Sequence, residues 1–384
     1  MAKLVILTSI LFIHITTQEK FIELIDQHYD DSLYLDMFLG QPQQDYQLQI
    51  NTNKITSFIN SDKFNQTQST SGTVIEMVPQ IINNTVHNTI KYSDKISFEN
   101  NESIDNFLFY IVNGTEYLPR WDEGIAFGYS FNDTAFSFIH LLYQQQLISH
   151  KKFGFVLTKT RKGKRANIFL GSIPLDRLTG YQYNTSLNVK HEQIEWNVCM
   201  KKVKINKKYL HLTNTVVIVN TAQFYMVLNN EIFDLFCDTV LSPYLQNKTC
   251  ERFDEVKRSY VKCYDKNIVD NLGMINFYFD NNQVINMNIT LFFKCFGNLC
   301  FSYIGGDTTK QGTFEVGYNF LKIFNATEFD YENGKIHLYS DTFTFNTEYN
   351  NNLITIITLG VSLMCMCMCI VIYISKRINF ELQY

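Results

Sequence analysis

Twice in this chain a strand-like apolar run stops abruptly at Asn-Thr. YQLQI leads into Asn51-Thr52-Asn53-Lys54, and VVIV leads into Asn220-Thr221-Ala222-Gln223. Each loop is followed much later by a short block closing on glycine: Ala126-Phe127-Gly128 in the first half and Glu315-Val316-Gly317 in the second. An echo of so long a period constrains the chain to two related halves, each carrying one strand–loop unit. Around these units lie short alternating or β-branched runs such as LYLDMFLG (33–40), FGFVLT (153–158), NIFLGSI (167–173), MINFYF (274–279) and KIHLYS (335–340). Asn/Asp/Ser/Gly clusters separate them, which is the period-2 signature of strands. The expected fold class is therefore all-β. Helical spacing of apolar residues occurs over 134–149, and a second short helix is expected over 229–236. The basic run 159–165 lies between two strand-like segments and reads as a solvated hairpin loop.

Two further hydrophobic segments flank this β region. Residues 1–17 (MAKLVILTSILFIHITT) carry an early lysine and an apolar run too short to span a bilayer, as in a cleaved signal peptide. Residues 353–374 are 22 in number, without a charge, and are closed by Ser375-Lys376-Arg377. At about 1.5 Å per residue such a helix reaches roughly 33 Å, enough to cross the hydrocarbon core. The basic pair beyond it places residues 375–384 in the cytosol. The expectation is a single-pass type I protein of the secretory pathway or cell surface, its ectodomain lumenal or extracellular. Nine Asn-x-Ser/Thr sequons agree with that address, at Asn65, Asn83, Asn101, Asn113, Asn132, Asn184, Asn247, Asn288 and Asn325. All lie between the two hydrophobic segments. So do six of the nine cysteines (Cys199, Cys237, Cys250, Cys263, Cys295, Cys300), an even number that suits disulfides in an oxidising compartment.

Thirty-three basic against 37 acidic side chains, with no concentrated basic face, argue against a nucleic-acid partner. No zinc-type cysteine spacing and no His-Glu-x-x-His pair occur, so no metal or cofactor is expected. No Gly-x-Ser-x-Gly elbow or glycine-rich phosphate loop occurs either.

The layout resembles the pepsin-like aspartic proteases, whose two lobes each present an Asp-Thr-Gly loop. LYLDMFLGQPQQDYQLQIN is similar to that family's strand, Gly-x-Pro turn and strand entering the first loop, and GIAFGYS (124–130) to its Asp-Gly-Ile-Leu-Gly segment. ANIFLGSIPLDRLTG and FEVGYNFLKIFNATEFDYENGKIHL resemble its later hairpin and its C-terminal ending. The resemblance implies a bilobal acid-protease fold with a central cleft, an N-terminal lobe over 18–190 and a C-terminal lobe over 191–345. It implies a disulfide between Cys263 and Cys300, and a flap tip near 80–84 carrying Ile81 and Ile82. It assigns Thr52 and Thr221 to supporting the cleft floor, where their hydroxyls knit the lobes together.

At the two catalytic positions, however, stand Asn51 and Asn220. The family's chemistry needs two close carboxylates sharing one proton, one acting as acid while its partner activates water. An amide matches a carboxylate in size but neither takes nor gives a proton near neutral pH. The glycines after the threonines are replaced by Asn53 and Ala222. Region 73–93 lacks the family's flap glycines and has Tyr92 as its sole tyrosine. Only about fourteen residues separate the expected signal peptide from the first β segment, fewer than the family's latency prosegment needs. Asp36, Asp45 and Asp122 lie nearby in sequence, none in an Asp-Thr-Gly or Asp-Ser-Gly context. The expected function is a monomeric, membrane-anchored, glycosylated pseudoprotease that holds extended peptide in its cleft. Two alternatives stand beside it: an active aspartic endopeptidase, and a non-enzymatic surface or adhesion glycoprotein using the fold as a scaffold.

Overall fold

In the computed structural model, the described residues run from 19 to 347, apart from 26–32, 62–63, 83–84, 99–101, 113–123, 130–136, 161–162, 191–194, 224–225, 255–257, 281–282, 308–312 and 342–344. The expected signal peptide and the apolar segment 353–374 lie outside them. No helix among the described residues is long and apolar enough to cross a membrane.

The fold is mostly β and bilobal, built on three sheets. A seven-stranded sheet forms the first lobe and contains Tyr34–Leu39, Gln44–Asn51, Thr85–Ser97 and Ser103–Val112. A twelve-stranded sheet forms the second, with Asn197–Ile205, Lys208–Val219 and Met274–Phe279 near its middle. Between them lies a six-stranded sheet in the order Ile22–Ile25, Gly163–Leu170, Lys152–Thr160, Ala326–Asp330, Lys335–Ser340, Tyr183–Asn188. The alternation read from sequence is visible in burial. Along Lys335–Ser340, Ile336 and Leu338 are buried while Lys335 and His337 are half-buried, as expected for a strand with one face to the core.

An aromatic cluster fills the junction of the halves. Phe153 and Phe329 stack across neighbouring strands with ring centroids 4.5 Å apart. The fully buried Trp196 stands edge-on to Phe329 at 5.0 Å and to Tyr331 at 4.8 Å. Its indole N–H donates to the Phe127 carbonyl (2.8 Å), and the Tyr331 hydroxyl donates to the same oxygen (2.6 Å). Burial pushes the Tyr331 hydroxyl well above its ordinary titration range, so it stays a donor. This polar anchoring satisfies both rings inside an apolar cluster. It also fixes the segment that carries Gly128.

The helix expected over 134–149 is shorter in the structure, Phe138–Gln144, with residues 134–136 outside the described set. The helix expected over 229–236 forms as Asn230–Phe236, where the Asn229 side chain caps the Ile232 N–H at 3.0 Å. Strands Lys152–Thr160 and Gly163–Leu170 pair antiparallel up to Thr160↔Gly163, and residues 161–162 of the basic run lie outside the described residues.

The expected Cys263–Cys300 disulfide is corrected. Cys263 bonds to Cys250, and Cys300 bonds to Cys295. The register explains the ambiguity: Cys250↔Cys263, Cys263↔Cys300 and Cys300↔Cys295 are each directly opposed across strands. Four cysteines thus form one row, in which Cys263 has a partner on either side. Four of the six cysteines between the two hydrophobic segments therefore form disulfides among the described residues, and Cys237 is a buried thiol.

Candidate functional site at the junction of the two loops

Both Asn-Thr loops sit at the ends of strands whose neighbours arrive in parallel. Gln44–Asn51 pairs with Ile125–Ala126 (Ile50↔Ile125, Asn51↔Ala126), and Lys208–Val219 pairs with Thr313–Val316 (Ile218↔Glu315, Val219↔Val316). Parallel neighbours leave the turn after each strand unpaired by the ladder, so its polar groups must be satisfied otherwise. Phe127 N–H donates to the Asn51 carbonyl (2.9 Å), and Asn220 N–H donates to the Val316 carbonyl (3.0 Å). Gly128 N–H donates to the Lys54 carbonyl at 2.7 Å, and a Cβ at Gly128 would stand 2.4 Å from that oxygen. Glycine is required there by close approach.

The threonines interlock across the lobes. Thr52 Oγ1 donates to the Val219 carbonyl (2.7 Å) and accepts from the Thr221 N–H (2.9 Å). Thr221 Oγ1 donates to the Ile50 carbonyl (2.6 Å). Both threonines are completely buried. Each hydroxyl bonds backbone from the opposite half, which brings the two loops together at one floor.

Asn51 and Asn220 lie on that floor and are 3% and 7% exposed. The Asn51 side-chain oxygen accepts from the Asn53 N–H at 3.2 Å, and that of Asn220 from the Ala222 N–H at 3.0 Å. These matching turns fix which end of each amide is oxygen. For Asn220 the consequence is specific. With Oδ1 held by its own loop, Nδ2 points away and donates to Glu315 Oε1 at 2.6 Å. Glu315 is 6% exposed, so a carboxyl group lies against the dyad position from the neighbouring strand. Sequence reasoning placed Glu315 in the echo but saw no role for it. Its signal was a charge in a block that is otherwise apolar before glycine.

Two further polar atoms complete the floor. Gln49 Nε2 donates to the Ala222 carbonyl at 3.3 Å, joining the first strand to the second loop. The Gln49 Oε1 and Asn53 Oδ1 atoms are buried without a hydrogen-bond partner. Ser57 Oγ accepts from the Ala126 N–H at 2.9 Å and steadies the first loop from beneath.

The flap region forms a long hairpin of Thr73–Ile82 with Thr85–Ser97, with Ile81↔Val86 and Ile82↔Thr85 nearest its end. Its tip, 83–84, falls outside the described residues. Of the nearby aspartates, Asp36 accepts from Gln47 Nε2 at 3.0 Å on the first-lobe sheet, and Asp45 is exposed. Asp122 is not among the described residues. Among the sequons, Asn65, Asn184, Asn247 and Asn288 are exposed and Asn325 is half-buried, while Asn83, Asn101, Asn113 and Asn132 are not described.

A sequence profile of the eukaryotic aspartyl protease family matches residues 34–340. No curated protein sequence matches the chain. Among solved structures, the crystal structure of an aspartic proteinase from Irpex lacteus superposes with a TM-score of 0.65 at 13% identity, covering 82% of this chain and 95% of that one. At that identity the likeness shows the fold. On the profile match over most of its length, the chain belongs to the eukaryotic aspartyl protease family.

Proposed function

We propose that this protein is a pseudoprotease: a membrane-anchored, glycosylated member of the family whose cleft holds extended peptide without cutting it. One observation carries the reading. The threonine interlock that builds the floor is intact, yet both side chains where a shared proton would reside are amides. Neither amide can activate water or protonate a leaving amine. A peptide bound in the cleft gains strand-like backbone hydrogen bonds without chemistry following.

The anchoring and glycosylation rest on the sequence, with support from sequon geometry. At Asn65 and Asn247 the side-chain oxygen accepts from both the backbone N–H and the hydroxyl of the threonine two residues on. Each of these turns occupies the amide oxygen on an exposed asparagine.

The test uses the purified full chain with denatured protein at acid pH, with and without a statine-type inhibitor, and an extended peptide in a binding assay. The expected result is peptide binding and no inhibitor-sensitive turnover. Inhibitor-sensitive cleavage that vanishes in Asn51→Ala would establish an active endopeptidase instead.

A further inference from the structure

We infer that the outward face of the second-lobe sheet, around the lysine-rich hairpin of Asn197–Ile205 and Lys208–Val219, docks on anionic headgroups of the membrane that holds this chain's own anchor. This rests on the membrane-anchoring reading above and adds to it a surface through which the ectodomain lies against the leaflet.

The even charge balance of the whole chain conceals a local excess. Residues 196–230 contain no Asp or Glu, yet Lys201, Lys202, Lys204, Lys207 and Lys208 fall within one stretch of eight residues. Lys202 and Lys204 alternate with the buried Val203 and Ile205, so both leave the core on the same face. Two tyrosines share that face. Lys202 Nζ lies 4.2 Å from the centre of the Tyr278 ring, and Lys204 Nζ lies 5.0 Å from that of Tyr209. Tyr209 is 49% exposed. Lys201, at the strand irregularity, pairs with Asp280 at 3.5 Å, while Lys207 and Lys208 are exposed at and beside the turn. Lysines gathered in this way set up a positive surface potential. A tyrosine ring has an apolar body and a polar tip, which suits it to the headgroup boundary of a bilayer.

Strand register ties this face to the anchor. His211↔Lys202, Lys202↔Tyr278, Tyr278↔Val284 and Val284↔Asn346 are each directly opposed, forming one row across five strands. Directly opposed residues share a face of the sheet. At about 4.8 Å between strands, three steps put the Lys202 backbone roughly 14 Å from Asn346. The strand Phe345–Thr347 ends one residue beyond the row, and the apolar segment begins six residues later at Leu353. Fully extended, those six residues reach about 20 Å, so the headgroups around the anchor stand close to the end of the row. A soluble polyanion would match the charge equally well, but the leaflet is tethered beside these lysines. The tether gives it a high effective concentration, so a weak attraction for each lysine suffices.

The experiment places the full chain in lipid nanodiscs of phosphatidylcholine, either alone or with three parts in ten of phosphatidylserine. Brief acetylation by an N-hydroxysuccinimide ester is then mapped on peptides. The expected result is acetylation of Lys202, Lys204, Lys207 and Lys208 at least threefold lower on the phosphatidylserine discs, restored by 0.5 M salt. The exposed Lys20 and Lys248 serve as references and should not change. In the double variant Lys202→Glu with Lys204→Glu, checked for a parent-like urea unfolding midpoint, the protection of Lys207 and Lys208 should be lost. Equal acetylation on both discs, a fall shared by the reference lysines, or protection that survives in the folded variant overturns this inference and leaves the anchoring standing. Protection by soluble heparin with none from the phosphatidylserine discs assigns the face to a glycan and overturns it too. If the chain is not recovered with the discs, the anchoring reading fails, and this inference with it.

Discussion

Restoring an aspartate at the second loop tests the Glu315 contact most severely. In Asn220→Asp the donor Nδ2 becomes an oxygen facing Glu315 Oε1, now 2.6 Å from that nitrogen, at a site where both residues are more than nine-tenths buried. With charge centres about 4 Å apart and an effective dielectric constant near 20, two ionised carboxylates repel by about 4 kcal/mol, equivalent to roughly 3 pH units of proton retention. The pair therefore keeps a proton well above the ordinary carboxylate range. The native state then binds more protons than the unfolded chain across that interval, so stability falls as pH rises. Relative to the parent, the variant should be near-neutral at about pH 4, below the raised value. It should lose about 1.4 kcal/mol per pH unit up to a total near 4 kcal/mol at pH 7. Adding Glu315→Gln should remove most of the loss. Urea denaturation at several pH values, with unchanged slope, reads the effect directly. If Asn220→Asp tracks the parent from pH 4 to 7, Glu315 does not face position 220 as a carboxylate. The same logic applies to catalysis: Asn51→Asp with Asn220→Asp should recover little inhibitor-sensitive turnover until Glu315 is also neutralised, because the proton the dyad needs is drawn to the third carboxyl.

Other outcomes follow from the surrounding structure. Thr52→Val removes two buried hydrogen bonds and strands the Val219 carbonyl and Thr221 N–H; at about 1–3 kcal/mol for each orphaned group, it should cost roughly 2–6 kcal/mol in urea unfolding, whereas Thr52→Ser should cost under about 1 kcal/mol. Non-reducing peptide mapping should recover Cys250–Cys263 and Cys295–Cys300. Burial holds the Cys237 thiol up at about 12, so native protein should resist alkylation at Cys237 until unfolded. In the sheet between the lobes, burial alone would raise the Asp330 carboxyl, but hydrogen bonds from His337, Asn333 and Lys152 outweigh it and hold it well below the carboxylate range. A depressed value means its stabilisation is present in full above about pH 4 and is lost on acidification below that. Asp330→Asn should therefore be destabilising at pH 7 and flatten the acid limb of the stability curve.

Sequence made the loops, the threonines and the strand content legible because each rests on a local pattern: an apolar run, a polar stop, a glycine at fixed order. Gly128 belongs to that class, since the Lys54 carbonyl excludes any Cβ there. The disulfides were not legible for a geometric reason. Cys263 directly opposes both Cys250 and Cys300, so spacing along the chain cannot choose between neighbours that register makes equivalent. The role of Glu315 was hidden differently. It occupies an apolar position in the strand pattern, and only the amide orientation imposed by Ala222 shows what its charge touches.

The central sheet interleaves the two halves of the chain: Ala326–Asp330 and Lys335–Ser340 lie between Lys152–Thr160 and Tyr183–Asn188. Neither half can complete this layer alone, since each would leave strand edges bare and the Trp196 cluster open on one side. Melting should accordingly be a single cooperative event in the calorimeter rather than two. Severing the chain near residue 190 should yield fragments that recover structure only when mixed.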